Sequence, residues 1–416
     1  MNVARKILGL VFCLALTPSL ALATNGDNLI GVGSISRAMG GVGIANPQDA
    51  VSAVFSNPAA MCFGGFCPSN EVDFMGTVFT PHIKADISAA GGSYSSHSGE
   101  KSYTMPAIGI SYEIPEVRNL RFGLGAYATS GMGVDYRDRG IDVKPAAWGG
   151  TAPLASGTYT ELGVMKFAPT VAYQFADWLS LGAAMHIDYS TLDMGAGTSD
   201  GYGVGGEFGV ILKPHDKVNI GLTYITAQEV KYSRVADFDG DSKLDDLKLA
   251  SPQQVGFGVS YTPIPKLLLE TDVKWVNWSD AKGYKEFDWD DQWVFGVGVQ
   301  YKPIDSLALR AGYNYGQNPV KKHTINGLSN VNVQGKTMNN YYYETFRLVG
   351  FPAIAEQHVT FGVGYDVSSR FAIHAGYMHA FSNSITETGV DITGAAARIK
   401  STMSEDSYEF GLSWRF

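Results

Sequence analysis

The sequence predicts an all-β protein: a fourteen-stranded antiparallel transmembrane β-barrel with an N-terminal hatch, or plug, inside its lumen. Two observations lead to this fold class. The chain ends in an alternating strand that closes on an aromatic residue, and the strand-like segments from about residue 70 onward are joined by connections that are alternately short and long. Single-chain barrels of the bacterial outer membrane have both features.

The C-terminal segment 408–416 places its large apolar side chains on one face. Because a strand points successive side chains to opposite sides, Tyr408, Phe410 and Trp414 share a face from which Glu409 and Arg415 are excluded. A half-buried strand of a soluble protein alternates in the same way. The terminal aromatic residue, and aromatic residues at both ends of the apolar face, instead favour the closing strand of a membrane barrel.

The first 23 residues predict a secretory signal peptide. Arg5 and Lys6 precede an apolar run from Ile7 to Leu16, and Ala21-Leu22-Ala23 supplies a small-residue cleavage pattern. No later segment offers about 18 uninterrupted apolar residues, so insertion into a membrane is expected to occur by strands.

Cys62 and Cys67 remain after the predicted cleavage. In an exported chain, an even pair at a short spacing favours a small disulfide loop. A metal site would need further Cys or His residues nearby, and the surrounding sequence has none.

The composition suits a barrel and argues against some partners. The 416 residues include 49 Gly, 22 Tyr and 21 Phe. Gly fits where the inner wall must be thin, and Tyr fits where a strand crosses a membrane interface. With a net charge of −9 and no basic stripe, nucleic acid is not expected as a partner. No cofactor is expected either.

Fourteen strand-like segments follow one another along the chain. We predict strands at 71–83, 105–114, 119–135, 160–175, 178–191, 203–213, 218–232, 251–262, 267–278, 291–302, 306–316, 357–366, 370–382 and 405–416. The long connections are predicted at 136–159, 233–250, 317–356 and 383–404. Strict alternation of short and long connections puts every short turn on one side of the membrane and every long loop on the other.

Residues 24–69 do not share this pattern. They are rich in Gly, Ala and Ser, and Gln48–Phe55 is weakly helical. Fourteen strands enclose more room than the wall side chains fill, and some forty residues suffice for a plug. The predicted organisation is therefore a signal peptide over 1–23, a hatch over 24–69 and a barrel over 70–416.

Several motifs occur in a recognisable order along the mature chain. They are Ser34–Gly43, Gln48–Ala50, Ser56–Ala60, Ser251–Gln254, Trp275–Trp278, Arg310–Tyr315 with Asn318-Pro319, and Gly376–His379. In this order they resemble the FadL-type transporters of long-chain fatty acids and other hydrophobic compounds. In that family Asn57-Pro58-Ala59 corresponds to the tripeptide of the hatch.

The resemblance implies a monomer in the outer membrane of a Gram-negative bacterium, surrounded by outer-membrane lipid. It implies a hydrophobic ligand, such as a long-chain fatty acid or an aromatic hydrocarbon, captured by extracellular loops and bound in a lumenal pocket. The ligand would then leave sideways through a gap at a kinked third strand. A general polar porin is a weaker alternative, because an open channel has no need of a plug.

Two places are candidates for gating. Gly131 and Gly133 break the alternation of the third strand, and glycine suits a bulge or a bend; flexibility near a loop is the alternative. Asn57, Pro58 and Ala59 form a plausible switch point, because Pro limits the backbone and Asn bonds locally. A rigid turn packed on the barrel wall is the alternative there.

Five residues are candidates for ligand binding: Arg37 and Phe55 in the hatch, Arg121 and Arg310 on predicted lumen faces, and Phe346 in the aromatic loop 317–356. An arginine can hold a carboxylate by two hydrogen bonds. More often an inward arginine pairs with an inward acid. The aromatic loop either captures apolar ligands or packs on its neighbours.

Catalysis is not expected. His186, Asp188 and Ser190 alternate along one strand, whereas a catalytic triad converges from separate elements. Asp237, Asp239, Asp241 and Asp245 partly match a calcium-binding loop, but Ser242 stands where glycine is expected and Lys248 where a bidentate glutamate belongs. A solvated acidic loop is the favoured interpretation.

Overall fold

The computed structural model describes residues 24–63, 69–99, 101–117 and 119–416. The predicted signal peptide and Cys67 lie outside the described residues. Among the helices in these ranges, none is long and apolar enough to cross a membrane.

Fourteen antiparallel strands form a closed barrel, as predicted. They are β1 (Glu71–Ala89), β2 (Tyr103–Glu113), β3 (Leu120–Asp135), β4 (Tyr159–Ala176), β5 (Leu179–Asp193), β6 (Ser199–His215), β7 (Val218–Ile225), β8 (Gln254–Ile264), β9 (Leu267–Val276), β10 (Gln292–Ile304), β11 (Leu307–Gly316), β12 (Gln357–Asp366), β13 (Phe371–Val390) and β14 (Ala396–Arg415). Each strand pairs with the next, and β14 pairs with β1 from Arg398–Ser88 to Arg415–Glu71, which closes the wall.

The alternation in β14 separates lipid from lumen. Phe410 and Trp414 are 62% and 53% exposed on the outer face, whereas Glu409 is 1% exposed on the inner face. Hydrocarbon offers no partner to a polar group, so the apolar set faces outward and the acid faces the packed lumen.

One end of the barrel, the turn end, carries the short connections at 114–119, 177–178, 216–217, 265–266, 305–306 and 367–370. The other end, the loop end, carries the remaining connections. The expectation of a long loop over 383–404 is wrong, because β13 and β14 continue as a hairpin that turns at 391–395. Likewise, the segment 233–250 belongs largely to a hairpin of Gln228–Ala236 with Asp245–Ser251.

The loops fold together as a cap over the loop end. A Trp278–Tyr284–Trp289 aromatic cluster with centroids 4.7 to 5.1 Å apart and the helix α3 (Asn340–Thr345) contribute to its core. Its other short elements are the strands Gly92–His97, Thr324–Asn326, Asn330–Val333 and Lys336–Asn339, the 3₁₀ helices Ala146–Trp148, Trp278–Asp280 and Lys285–Phe287, and the π-helical turn Phe346–Gly350.

The segment 24–63 is buried inside the barrel. It comprises an N-terminal arm that pairs Thr24–Asn25 with Asn28–Leu29, helix α1 (Ser34–Ala38), helix α2 (Ala50–Ser56) and the 3₁₀ helix Pro58–Cys62. Asp49 caps α2 by accepting a hydrogen bond from the Ser52 N–H at 2.7 Å. Residues 24–30 are called the arm below.

Candidate functional site

The pairing between β2 and β3 is interrupted. It runs from Glu113–Arg121 to Ala107–Tyr127 and stops there, although both strands continue toward the loop end. Beyond the interruption the two segments meet again, where the Gly99 N–H donates to the Asp135 carbonyl at 2.7 Å. The wall therefore has a gap bounded above and below by hydrogen bonds.

Two local features account for the gap. Pro106 has no N–H to donate, and it lies on β2 directly beyond the last pair. On β3, Ala128 and Ser130 pair with Met165 and Val164, which are adjacent in β4. Thr129 is therefore an extra, unpaired residue that forms a β-bulge. Such a bulge bends its strand. The bend thus begins two residues before Gly131.

The predicted glycines lie on the loop-end side of this bulge. Residues 130–134 of β3 are all buried, so the outward alternation ends at the bend. The Gly131 N–H donates to the Asp27 carbonyl at 3.2 Å. A side chain at Gly133 would place its Cβ 2.8 Å from Tyr103 Oη, so glycine permits the close approach of Tyr103.

The arm occupies the place that β2 leaves. Asn28 pairs with Ser130, and the Thr24 N–H donates to Glu405 Oε2 at 3.2 Å. The Asp27 carboxyl, fully buried, accepts a hydrogen bond from Tyr284 Oη in the cap. Burial raises the pKa of Asp27 to about 6. The arm is thereby joined to β3, to β14 and to the cap.

A lumenal cavity of about 50 Å³ lies beside the arm. It is lined by Asn25, Asn28, Leu29, Phe55, Tyr127, Thr129, Lys166, His186, Ile225, Gln228, Ser251, Pro252, Gln254, Lys274, Val276 and Val294. Phe55 packs edge-on against Tyr127 with ring centroids 5.5 Å apart. Because Thr129 belongs both to the cavity and to the bulge, the cavity adjoins the gap. Its volume holds about one or two water molecules.

Two lysines line this cavity, and sequence reasoning missed both. Lys166 Nζ lies 2.8 Å from Gln228 Oε1 and 3.5 Å from Asp188 Oδ1. Lys274 Nζ lies 3.5 and 3.4 Å from the carbonyls of Ile30 and Gly41, and the buried carboxylates of Asp272, Glu207 and Glu270 are near enough to interact with its charge. The sequence did contain a signal for Lys166. It lies between Met165 and Phe167, and strand alternation turns Lys166 into the lumen when its two neighbours face outward.

The three predicted arginines do not line the cavity. Arg37 lies in α1 and pairs with Glu409, Nε to Oε1 at 2.8 Å, with both side chains 1% exposed. Arg121 Nη2 donates to the Ser69 carbonyl at 2.6 Å, and Arg310 Nε donates to Gln300 Oε1 at 2.7 Å.

Wall carboxylates hold the hatch by its backbone. Asp272 Oδ2 accepts from the N–H groups of Gly43 and Ile44, at 2.9 and 3.1 Å. Glu270 Oε1 accepts from the next two N–H groups at 2.9 Å each. On the other side of the barrel, Asp73 Oδ2 accepts from the first two N–H groups of α2, at 2.8 and 3.1 Å. These hydrogen bonds fix the middle of the hatch.

Asn57, Pro58 and Ala59 lie flat against the wall. Asn57 Nδ2 donates to the Ile44 carbonyl at 2.8 Å, and the Ala59 carbonyl accepts from Ser180 Oγ at 2.8 Å. A Cβ at Gly182 would lie 2.3 Å from the Ala59 nitrogen, so only glycine allows this contact.

This tripeptide and the gap lie at opposite ends of the barrel. Ser180, which contacts Ala59, is near the turn end of β5. Gly131 pairs with Gly163 of β4, and Gly163 pairs with Thr191 near the loop end of β5. Eleven strand residues correspond to roughly 35 Å of strand length. The structure therefore does not bring the two predicted gating places together.

The aromatic loop is packed rather than open. Phe346 is 3% exposed and contacts Phe287 and Phe351 at centroid distances of 5.5 and 5.1 Å. Tyr341, Tyr343, Leu348 and Phe351 are buried as well, and Tyr342 is half-buried. Phe346 thus belongs to the core of the cap and lies outside the lumenal cavity.

The acidic loop folds around its own backbone. Asp237 accepts hydrogen bonds from the N–H groups of Gly240, Asp241 and Ser242, at 2.7 to 3.1 Å. Lys336 Nζ lies 2.6 Å from Asp245 Oδ1 and 3.4 Å from Asp239 Oδ2. A lysine ammonium thus lies between two of the predicted calcium ligands.

The disulfide stays a prediction. Cys62 is half-buried at the end of the 3₁₀ helix, and its predicted partner lies outside the described residues.

The fold and the site together define a class, the outer-membrane β-barrels whose lumen is filled by an N-terminal hatch. The chain belongs to the OMPP1/FadL/TodX family of outer membrane transport proteins, whose model matches residues 17–200 and 190–327. It is accordingly a transport protein of the outer membrane.

Solved structures agree on the fold. The toluene transporter TodX of Pseudomonas putida is 19% identical, with a TM-score of 0.67 over 94% of this chain and 100% of TodX. A FadL homologue of Pseudomonas aeruginosa is 16% identical, with a TM-score of 0.69 over 94% and 99%. The toluene transporter TbuX of Ralstonia pickettii is 17% identical, with a TM-score of 0.60 over 93% and 98%. No curated protein matches the sequence.

Proposed function

We propose that the protein carries small hydrophobic molecules across the outer membrane and releases them sideways into the bilayer through the gap between β2 and β3. One observation carries this proposal. The interrupted pairing adjoins the lumenal cavity at Thr129, and the arm lies between the two. Unpaired backbone groups are costly in lipid, and the arm supplies partners to β3 at the gap, so the gap can be closed by the arm and opened when the arm moves.

An apolar cargo explains why the lumen is filled. A water-filled pore gives a hydrophobic molecule no favourable path, whereas a largely dry pocket next to lipid does. Phe55, Leu29 and Tyr127 supply apolar surface at the cavity. In the closed state the cavity is smaller than any such cargo, so transport requires the arm to move.

The arm, rather than the whole hatch, is the proposed moving part. It is joined to β3 by one residue pair and one further backbone hydrogen bond. The middle of the hatch is held by Glu270, Asp272 and Asp73 through hydrogen bonds to its backbone. In this account Asn57, Pro58 and Ala59 anchor the hatch to the wall, and Gly131 and Gly133 let β3 bend toward the arm.

The cargo is a long-chain fatty acid or an aromatic hydrocarbon. The relatives described as toluene transporters support the second, and the name of the P. aeruginosa FadL homologue supports the first. Lys274 lines the cavity and its hydrogen bonds to carbonyls are long, so its ammonium can also bind a ligand carboxylate, which favours an acid-bearing amphiphile. The ligand contacts surrounding membrane lipid on release, and the protein acts as a monomer.

A reversible disulfide between the arm and β3 tests the proposal. Asn28 and Ser130 are direct antiparallel partners, and such pairs have Cα atoms about 4.5–5.5 Å apart, within the range of a disulfide. Cells carrying Asn28→Cys with Ser130→Cys, in a background with Cys62 and Cys67 replaced by serine, would be assayed for uptake of radiolabelled oleate and toluene. Oxidation should abolish uptake and reduction should restore it.

A matched control separates locking from oxidation. Thr386 and Lys400 are direct partners on β13 and β14, away from the gap. A disulfide there should leave uptake unchanged. Parental uptake by the oxidised arm variant, with the crosslink verified by mass spectrometry, would show that the arm does not gate transport.

A further inference from the structure

The cap contains a histidine held between carboxylates from three different segments. His323 Nδ1 lies 3.0 Å from Glu344 Oε1 of α3, and His323 Nε2 lies 2.9 Å from Asp288 Oδ2 of the β9–β10 loop. The His323 backbone N–H donates to Glu387 Oε1 at 2.8 Å, from the loop end of β13. Both glutamates are at most 1% exposed.

Arg347 orients the two buried glutamates. Its Nε lies 2.9 Å from Glu344 Oε2, and its Nη2 lies 3.0 Å from Glu387 Oε1. One oxygen of each carboxylate is thereby held, and the other is left for a different partner. For Glu344 that other oxygen faces His323.

The other oxygen of Glu387 has no partner. Within the described part of the chain, no donor reaches Glu387 Oε2, although this side chain is fully buried. A buried carboxylate oxygen without a donor is unfavourable. One ligand atom each from His323, Glu344 and Glu387 lies within 4.8 Å of the other two, so these three side chains can converge on one ion.

The donor set matches a transition metal. Zn²⁺ accepts both imidazole nitrogen and carboxylate oxygen as ligands, and the imidazole favours a transition metal over Mg²⁺ or Ca²⁺. Metal-binding histidines almost always donate their second ring N–H to a carboxylate or carbonyl, and Asp288 is placed to accept it here. Arg347 plays the equivalent orienting part for the two glutamates.

The local charge also calls for a cation. Asp288, Asp290, Glu344 and Glu387 contribute four negative charges, while Arg347 and Lys321 contribute two positive ones. The His323 imidazolium balances one of the remaining two charges in the metal-free cluster, and a divalent ion that displaces its Nδ1 proton balances both. In the metal-free cluster, both His323 nitrogens face carboxylates, so the ring carries two N–H groups, and the metal takes the place of the Nδ1 proton.

We propose that the cap binds one Zn²⁺ through His323 Nδ1, Glu344 and Glu387, with Asp288 and Arg347 orienting the ligands. The ion joins the β11–β12 loop to the loop end of β13. It therefore fixes the part of the cap that lies over the lumen, a role separate from the gap.

The test uses the purified full-length protein without an affinity tag, treated with EDTA and titrated with Zn²⁺ alone. Calorimetry with elemental analysis should give one tightly bound Zn²⁺ per chain. His323→Gln and Glu387→Gln should each weaken binding at least about tenfold, and Asp288→Asn should weaken it about 10- to 100-fold. Asp239→Asn, in the acidic loop, is the matched control and should leave the affinity unchanged.

Three results would overturn the proposal: no Zn²⁺ bound, an affinity unaffected by His323→Gln and Glu387→Gln, or an affinity lost in Asp239→Asn. Preference for Ca²⁺ over Zn²⁺ would overturn the assigned metal class. Retained heat-modifiable mobility on gels establishes that each variant keeps its barrel. In folded His323→Gln, Zn²⁺ should also no longer protect the cap from protease, an effect that a purely structural ion-pair cluster would not show.

Discussion

Removing the charge of Glu409 should loosen the hatch strongly. Glu409 is the ionic partner of Arg37, at 2.8 Å and with both side chains 1% exposed. Its replacement by glutamine leaves the buried guanidinium of Arg37 without its ion-pair partner. Breaking a buried ion pair by removing one partner costs about 3–5 kcal/mol. The barrel itself keeps its strand ladders, so the cost falls on docking of the hatch.

The opening of the hatch can be followed at Ala38, which is 1% exposed at the end of α1. A cysteine there, with Cys62 and Cys67 replaced by serine, reacts with a polar maleimide only when the hatch opens. Under native conditions the reaction rate is proportional to the opening equilibrium. A loss of 3–5 kcal/mol corresponds to a rate increase of about 100-fold to several thousandfold.

The double variant Arg37→Met with Glu409→Gln is the internal control. It removes both charges, and replacing a whole buried pair by neutral groups is often close to neutral. It should therefore react more slowly than Glu409→Gln alone. Equal rates in the parent and in Glu409→Gln would refute the claim that this ion pair holds the hatch.

Further predictions concern the arm, the cavity and the acidic loop. Burial raises the pKa of Asp27 from 3.8 in the free arm to about 6 in the docked arm. Between these two pH values the docked arm binds more protons than the free arm. Docking of the arm therefore weakens as the pH rises through about 6, by up to about 3 kcal/mol. Hydrogen exchange at the Gly131 amide, corrected for intrinsic rates, should therefore be better protected at pH 5 than at pH 7, and Asp27→Asn should remove the difference. Lys274→Met should lower oleate uptake about tenfold and spare toluene, since a hydrogen bond to a charged group contributes about 1.5 kcal/mol or more; equal effects on both would exclude a carboxylate contact. Because the Lys336 ammonium lies beside Asp245 and Asp239, the acidic loop should bind no Ca²⁺ in a calorimetric titration; Ca²⁺ binding that is lost in Asp237→Asn would contradict this interpretation.

Much of the barrel was predictable because the alternation of inward and outward side chains is visible within each strand's own sequence. The alternation in segments such as 408–416 follows from a wall with lipid on one side, and it fixes which residues face inward. The continuation of β13 and β14 beyond the membrane was missed, because water on the outer face removes the apolar alternation. Ser384, Thr386 and Thr388 leave no hydrophobic pattern there.

The candidate site was less predictable because it depends on contacts between distant segments. Arg37 was a reasonable ligand candidate, yet Glu409, 372 residues further along the chain, neutralises it. Gly131 pointed to a bend in β3, but the bulge at Thr129 is visible only from the register with β4. Nothing in the sequence of the arm indicated that Asn28 pairs with Ser130, because a single residue pair produces no strand-like alternation.

Deletion of Thr129 tests most directly whether cargo leaves through the gap between β2 and β3. The deletion removes the extra residue of the bulge, so that β3 can run straight and pair with β2 over more of its length. The measurement is uptake of radiolabelled oleate and toluene by cells with equal amounts of folded protein in the outer membrane.

If cargo leaves through the gap, uptake in the deletion variant falls to the level of cells lacking the protein. The matched variant Thr129→Val keeps the bulge and should retain uptake. Parental uptake by the correctly folded deletion variant would contradict lateral release through the gap.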